Sequence, residues 1–187
     1  ARETKLQAIS RYVDSHTHTM LYRTNDWVHS WRVLGLLEEL VPVIDTAFSG
    51  FNVELARRLA IVHDDAKMIT GDIQLYAKER MTALEKKHHH QQEQEAIDQL
   101  APQFPFSIDG YPYKEMLQII LDKKGVEAQV VSYCDKFDGF GEPLHEVFAG
   151  NRCFLRPVEG TQKEWGYIGR LQEFEKKYSQ LAPLLQQ

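Results

Sequence analysis

Two histidines and an aspartate each interrupt an otherwise apolar helical stripe, and these interruptions are where the sequence points to chemistry. His29 is followed by Val33, Leu36 and Leu40 at spacings of four, three and four, which puts all four on one helix face. Ala56, Leu59 or Ala60, and His63 repeat the pattern, with Asp64 next in the chain. Ala128, Val131 and Asp135 give it a third time. A single histidine on an apolar face is ordinarily a satisfied core residue. A buried aspartate has to be paired or to bind a metal, because a lone charge there is very costly. Three interruptions, one beside a second carboxylate, point to a shared partner: one divalent cation. Adjacent helical residues point about 100° apart, so an ion lying against the helix is within reach of both His63 and Asp64. His29 and Asp135 complete the set from neighbouring helices. Two imidazoles and two carboxylates suit Mn, Co, Mg, Fe or Zn and leave positions for water and a substrate oxygen. Such an ion acidifies water and polarises a phosphoryl oxygen, so no strongly nucleophilic side chain is required.

The elements that must hold these residues read as helices. Asn25 or Asp26 can cap a helix through Trp27, Trp31, Leu34, Leu37 and Val41, which Pro42 should end or kink. Thr46 to Asn52, with Ser49-Gly50, reads as a loop, and Asn52 can cap a helix through Leu55, Arg58, Leu59 and Val62. Thr70-Gly71-Asp72 interrupts the pattern. A long polar helix is expected from Ile73 to about Leu100; its stretch from Glu85 to Glu95 has no apolar residue, as on a solvated face or the wall of a wet cleft. Pro102 to Pro112 is a Pro- and aromatic-rich connection. Tyr113 to Lys123 forms a short helix stopping near Gly125, and Val126 to Phe148 forms another, with a disturbance expected around Gly139, Gly141 and Pro143. Asn151 to Gly160 is loop-like, and a last helix runs from about Lys163 to Leu181. There is no strand alternation, internal repeat or heptad run. The fold class is therefore all-α, with residues 1–187 as one helical domain.

Composition narrows the partners. The chain has 187 residues, 43% of them hydrophobic, enough for a proper core. Its 22 basic residues are scattered among 27 acidic ones, for a net charge of −5, which argues against a nucleic-acid partner. A phosphorylated substrate must then find a local positive centre, and a metal ion is one. No run approaches the ~18 apolar residues needed to cross a bilayer, so no membrane association is expected. No signal peptide is visible, and Cys134 and Cys153 are too few for a disulfide framework. A reduced, cytoplasmic protein is the simplest reading.

The order His29, His63-Asp64, Asp135 resembles the H…HD…D signature of the HD-domain metal-dependent phosphohydrolases. Arg23-Thr24 ahead of His29-Ser30, and the run from His63-Asp64 to Thr70-Gly71-Asp72, resemble the 5′-deoxynucleotidase branch. So does Val131 to Asn151, with its Ala149-Gly150-Asn151 ending. The likeness spans Arg23 to Ala77 and Val126 to Asn151, which sets the metal-binding core at about 23–151. It implies an all-helical HD domain, often a homodimer, that removes phosphate from nucleoside 5′-monophosphates. One position departs from the branch. Three residues after the HD aspartate the branch has a glutamate that helps activate water, and here stands Lys67. Other HD hydrolases carry lysine there, in an HD-x-x-K pattern, and use it towards phosphate. A protonated lysine cannot act as a base, so the resemblance assigns Lys67 to phosphate. It assigns Asp72 to proton transfer, although Asp72 reads equally well as an N-cap for a helix starting at Ile73. Arg23 is a phosphate anchor or the partner of a surface carboxylate.

Three further features are weighed against this frame. His88-His89-His90 does not have the spacing of a second metal set and reads as a solvated helix surface. Cys134 reads as core. His16 and His18 reach the site only if the N-terminal segment packs over it. The expected activity is hydrolysis of a small phosphomonoester, a nucleotide, with Lys67 and Arg23 on the phosphate and Asp72 moving a proton. The alternatives are another HD hydrolase acting on a cyclic nucleotide or nucleoside triphosphate, or a degenerate HD module that binds metal and nucleotide without turnover.

Overall fold

The structure, a computed structural model, describes residues 1–13, 20–73, 75–104, 106–151, 176–179, 181 and 184; of residues 75, 76 and 79 it describes the backbone. His16, His18, Cys153, the loop after Asn151 and most of the helix expected from Lys163 to Leu181 lie outside the described residues.

The described chain is helical apart from one minute hairpin. Helix α1 (Arg2–Gln7) precedes a loop that leads into α2 (Asp26–Ala47). Asn25 caps α2, accepting a hydrogen bond from the Val28 amide at 3.0 Å, so Asp26 is the first helical residue rather than the cap. The helix does not end at Pro42. It continues for more than a turn, because Ile44 is fully buried and anchors the far side of the proline. Asn52 caps α3 (Val53–Val62), as expected, by accepting from the Leu55 amide at 2.9 Å.

His63 and Asp64 are not on α3. They lie in a tight turn between its end and α4 (Lys67–Thr70), held by amide-to-carbonyl bonds from Asp65 to Val62 and from Lys67 to Asp64, both 3.0 Å. Gly71, at φ +73°, ends α4 in a conformation that a side chain would strain. The long polar helix divides in two, α5 (Leu75–Arg80) and α6 (Ala83–Leu100). Thr82 and Glu85 form a reciprocal capping box that starts α6 afresh. The connection after it contains the strands β1 (Ser107–Ile108) and β2 (Tyr111–Pro112), joined through Asp109-Gly110, a pair that favours tight hairpin turns. Helix α7 (Tyr113–Asp122) ends at Lys123, in left-handed conformation. Helix α8 (Gly125–Phe148) runs unbroken through Gly139, Gly141 and Pro143, where a disturbance was expected.

The core forms where α2, α3 and α8 pack on one another. Val33, Leu37 and Ile44 meet Ala56, Leu59 and Ala60, and Ala128 and Val131. The stripe on α2 thus passes through Leu37, with Leu36 and Leu40 only partly buried. Leu181 and Leu184 add to the same core. The loop before α2 is tied to α8 by two buried glutamates. Glu142 accepts from Thr24 and Arg11, and Glu146 accepts from the Leu21 and Tyr22 amides. This fixes the approach to His29.

Candidate functional site

The three apolar stripes converge, and so do the residues that interrupt them. His29 Nε2 lies 3.2 Å from His63 Nε2, 3.1 Å from Asp135 Oδ1 and 3.6 Å from Asp64 Oδ2. His63 Nε2 lies 3.5 Å from the same Asp64 oxygen. Donors sharing one ion at about 2.0–2.2 Å are spaced roughly 3–3.5 Å apart. His29, His63 and Asp64 form a compact set with their donor atoms within 4.8 Å of one another, and Asp135 adjoins it through His29. The outer nitrogens set the tautomers. His29 Nδ1 lies 2.6 Å from Asp138 Oδ2, and His63 Nδ1 lies 2.7 Å from the Ala60 carbonyl. With Nδ1 donating outward, each Nε2 directs a lone pair inward, the arrangement that an acceptor behind the ring imposes on metal-binding histidines. Two lone pairs facing each other at 3.2 Å require a cation or a proton between them. The donor set therefore fits a divalent ion.

The turn carrying His63 and Asp64 is pinned from behind. The next residue, Asp65, is buried and accepts from Arg2 at 2.8 Å and from the Tyr113 hydroxyl at 2.7 Å. Burial raises the Asp65 carboxyl, with Arg2 opposing. Asp65 thus locks α1 and α7 to the turn and takes no part in the donor set.

In front of the donors lies a cleft of about 950 Å³, whose lining includes Arg11, His63, Asp64, Lys67, Asp72 and Asp135. Lys67 Nζ sits 2.8 Å from Asp64 Oδ2, 3.0 Å from Asp72 Oδ1 and 3.5 Å from Asp26 Oδ1. Burial pulls the ammonium down, but Asp64, Asp26 and Asp72 outweigh it and raise Lys67 above the ordinary lysine range. Lys67 is a fixed cation here. Asp26 is fully buried, with neither carboxylate oxygen hydrogen-bonded. Burial, then the nearby Asp64 charge, push it up to about 6 against the pull of Lys67 and Arg11. Burial would raise Asp64 too, but His63, Lys67 and His29 together hold it low. Burial would lower His29, as would Arg11, yet hydrogen bonds to Asp135 and Asp138 and the Asp64 charge raise it. For His63 burial prevails and the imidazole is lowered.

Six of the seven residues expected at the site come together: His29, His63, Asp64, Asp135, Lys67 and Asp72. Arg23 does not join them. It is exposed and donates to the backbone carbonyls of Arg11 and Tyr12. Arg11 lines the cleft instead, mostly buried, 3.6 Å from Asp26 and 3.1 Å from Glu142. Arg11 lies in a loop, where no periodicity could mark it. Asp138, which bonds His29, and Arg32, whose Nε lies 2.8 Å from Asp138 Oδ1, were legible in principle, since each lies three residues, about one turn, beyond Asp135 or His29. Of the histidine run, His88 is exposed as expected. His89 is turned inward and lines the cleft with its Nε2 3.3 Å from Glu93. Cys134 is buried core, its thiol pushed up to about 12 by burial and by Asp135.

A family model described as 5′-deoxynucleotidase YfbR-like matches residues 3–180. The chain belongs to that family. This YfbR-like protein is accordingly a metal-dependent nucleotide phosphohydrolase. Solved structures share its fold at low identity. A conserved hypothetical protein from Pyrococcus furiosus is 19% identical, with a TM-score of 0.69 over 99% of this chain and 94% of that one. A Pyrococcus horikoshii protein is 21% identical, with a TM-score of 0.67 over 96% and 92%. An HD-domain phosphohydrolase from Listeria innocua is 17% identical, with a TM-score of 0.71 over 97% and 80%. Curated proteins give no match.

Proposed function

We propose that this YfbR-like protein hydrolyses the phosphomonoester of a nucleoside 5′-monophosphate, using one divalent ion held by His29, His63, Asp64 and Asp135. The observation that carries the reading is the convergence of four donor atoms beside two cations, Arg11 and Lys67, in one cleft. When bound, the ion acidifies water and draws charge from a phosphoryl oxygen. Arg11 and Lys67 neutralise the remaining phosphate charge. In the reaction a water oxygen bonds to phosphorus and the ester P–O bond breaks. The leaving oxygen departs with its electron pair and receives a proton. Asp72, 3.0 Å from Lys67 and on the cleft wall, is the proton carrier. Lys67 cannot take that part, because its carboxylate neighbours keep it protonated. Arg11 takes the place in phosphate binding expected of Arg23. The ion's identity within Mn, Co, Mg, Fe and Zn is read by elemental analysis of protein purified without chelator. A homodimer in the cytoplasm completes the proposal; sedimentation at micromolar concentration tests the assembly.

A second reading has one observation in its favour. Lys67 bonds the same Asp64 oxygen that faces the histidines, so it competes for a metal donor. A module that binds metal and nucleotide without turnover would look like this. Phosphate release from a panel of deoxynucleoside and ribonucleoside 5′-monophosphates separates the two. Turnover that falls about a hundredfold in Asp72→Asn, with KM little changed, supports hydrolysis through Asp72. A fully metal-loaded protein that releases phosphate from none of the panel is the module instead.

A further inference from the structure

Asp26 takes no part in the reaction above, yet its carboxylate is fully buried beside the two cations assigned to the phosphate. It is the first residue of α2, where an acidic side chain ordinarily meets the free amides. Asn25 already caps the helix, and neither Asp26 oxygen accepts a hydrogen bond among the described residues. What meets the carboxylate is charge. Its Oδ1 lies 3.5 Å from Lys67 Nζ and 3.6 Å from Arg11 Nη1. The chain builds this meeting by clipping two segments together. An antiparallel bridge joins Ser10 to Asn25, the Arg11 amide donates to the Thr24 carbonyl at 3.0 Å, and the Asp26 amide donates to the Ile9 carbonyl at 3.1 Å. Lys67, the first residue of α4, closes on the same oxygen from the turn that carries His63 and Asp64.

A carboxylate in this position lowers stability. Burial, then the Asp64 charge, push it up to about 6, so at neutral pH the folded chain keeps it ionised at a cost in free energy. Groups that oppose folding in this way collect where function needs them. The geometry supplies the need. Lys67 Nζ and Arg11 Nη1 approach one oxygen atom, so they stand no farther apart than those two distances laid end to end. One phosphate can bridge such a gap, taking a charge-assisted bond of ~2.8 Å on each of two oxygens. Without the carboxylate the two positive groups repel each other, and each has another partner to turn to. Lys67 has Asp64 and Asp72, and Arg11 has Glu142.

We propose that Asp26 is a positioning residue for the substrate's phosphate: its carboxylate draws Arg11 and Lys67 towards one point and so sets the spacing of the two cations that receive the phosphoryl oxygens. This rests on the hydrolase reading above and deepens it. The role runs against simple electrostatics, and that makes it testable. A negative charge beside an anion site weakens anion binding. If Asp26 did no more than add charge, removing it would tighten the binding of phosphate. If it sets the spacing, removing it loosens binding, because a displaced cation forfeits both the contact and the orientation.

The test measures the binding of inorganic phosphate to the metal-loaded full chain by calorimetry at pH 8, where Asp26 is ionised. Asp26→Asn keeps the shape of the side chain and lowers phosphate affinity about tenfold, with the metal content unchanged. The denaturation midpoint of the metal-free variant rises at the same pH. A merely structural role would move binding and stability together, and here they move apart. Asp26→Glu keeps the charge but carries it one methylene farther, and it too weakens binding. Lys67→Gln and Arg11→Gln each weaken binding on their own. Adding Asp26→Asn to Lys67→Gln then changes little, since no pair is left to space. Phosphate binding that is unchanged or tighter in Asp26→Asn overturns the proposal, as does strict additivity with Lys67→Gln. If neither Lys67→Gln nor Arg11→Gln weakens binding, the assignment of these cations to phosphate fails, and the proposal falls with it.

Discussion

At the residue scale, the charges beside the donor set form a matched pair that neither partner explains alone. Lys67 stands where the 5′-deoxynucleotidase branch has glutamate, and the Asp26 carboxylate, which accepts no hydrogen bond, lies 3.5 Å from it. An acidic residue at position 67 would put a fourth carboxylate among Asp26, Asp64 and Asp72. Lys67→Glu alone should therefore lose stability or metal, and Lys67→Glu with Asp26→Asn should recover much of the loss. A double-mutant cycle on denaturation midpoints should show a coupling of about 1–3 kcal/mol; strict additivity would mean that the two positions are unrelated. Asp26 also makes stability depend on pH. Its carboxyl is raised to about 6 in the folded protein, above about 3.9 in the unfolded chain. The native state therefore binds the extra proton between these values. The contribution to stability is full below about pH 4 and is lost as pH rises through about 6, a loss on the order of 3 kcal/mol. In metal-free protein, Asp26→Asn should thus be more stable than wild type at pH 8 by about 2–3 kcal/mol, with the gap closing towards pH 4. Denaturant titrations at the two pH values check this, and a gap that does not change with pH counts against it. His29, His63 and Asp135 were legible in the sequence because each breaks an apolar stripe, and Asp64 because it follows His63. Asp26 was not, because an acidic residue beside Asn25 reads as one more helix-capping candidate, and only burial separates the two roles.

At the element scale, the sequence placed α2, α3, α7 and α8, and what it missed among the described residues came from short-range chemistry. The pattern from Ile73 to Leu100 is uniformly polar, so nothing in its periodicity shows a break. The break comes from Thr82, whose hydroxyl accepts from the Glu85 amide at 3.3 Å while its own amide donates to the Glu85 carboxylate at 2.7 Å. Threonine with glutamate three residues on is a capping-box signature that can be read from sequence alone. Pro42 misled in the opposite direction. Losing one backbone donor did not stop α2, because Ile44 beyond it is buried in the core. The turn at His63-Asp64 was hidden for a third reason: Ala56, Leu59 and His63 keep helical spacing up to the last residue of α3. The capping box bears on function because α6 brings Lys86, His89 and Glu93 to the cleft. Thr82→Ala should cost about 1 kcal/mol and fray the first turn of α6. Hydrogen exchange at residues 86 to 88 should then speed up severalfold while the core amides of α8 stay protected. Uniform destabilisation across both helices would mean that α6 has no independent start.

At the scale of the whole molecule, the donor set joins segments far apart in the chain. His29 comes from α2, His63 and Asp64 from the turn after α3, and Asp135 from α8, the same three regions that build the core. The apolar stripes bring these residues together, and the charges then oppose the packing. Two inward lone pairs and several buried carboxylates lie within a few ångströms, partly offset by Lys67 and Arg11. An ion seated there would remove that opposition and cross-link the three regions. It binds the folded chain and not the unfolded one, so at a thousandfold excess over its Kd it should stabilise by about 4 kcal/mol. For a domain of this size that is a rise in Tm of roughly 8–16 °C. Calorimetry should show the rise on adding Mn, Co or Zn to chelator-treated protein and its reversal by chelator. His63→Ala should abolish the metal-dependent rise while still folding, since His63 lies in a turn pinned independently by Asp65, Arg2 and Tyr113. Arg23→Ala, on the outer surface of the loop, should leave the metal-dependent rise intact. A wild-type Tm that is the same with metal and with chelator would mean that the convergence of His29, His63, Asp64 and Asp135 is held by protons and Lys67 alone, and the metal assignment would fall with it.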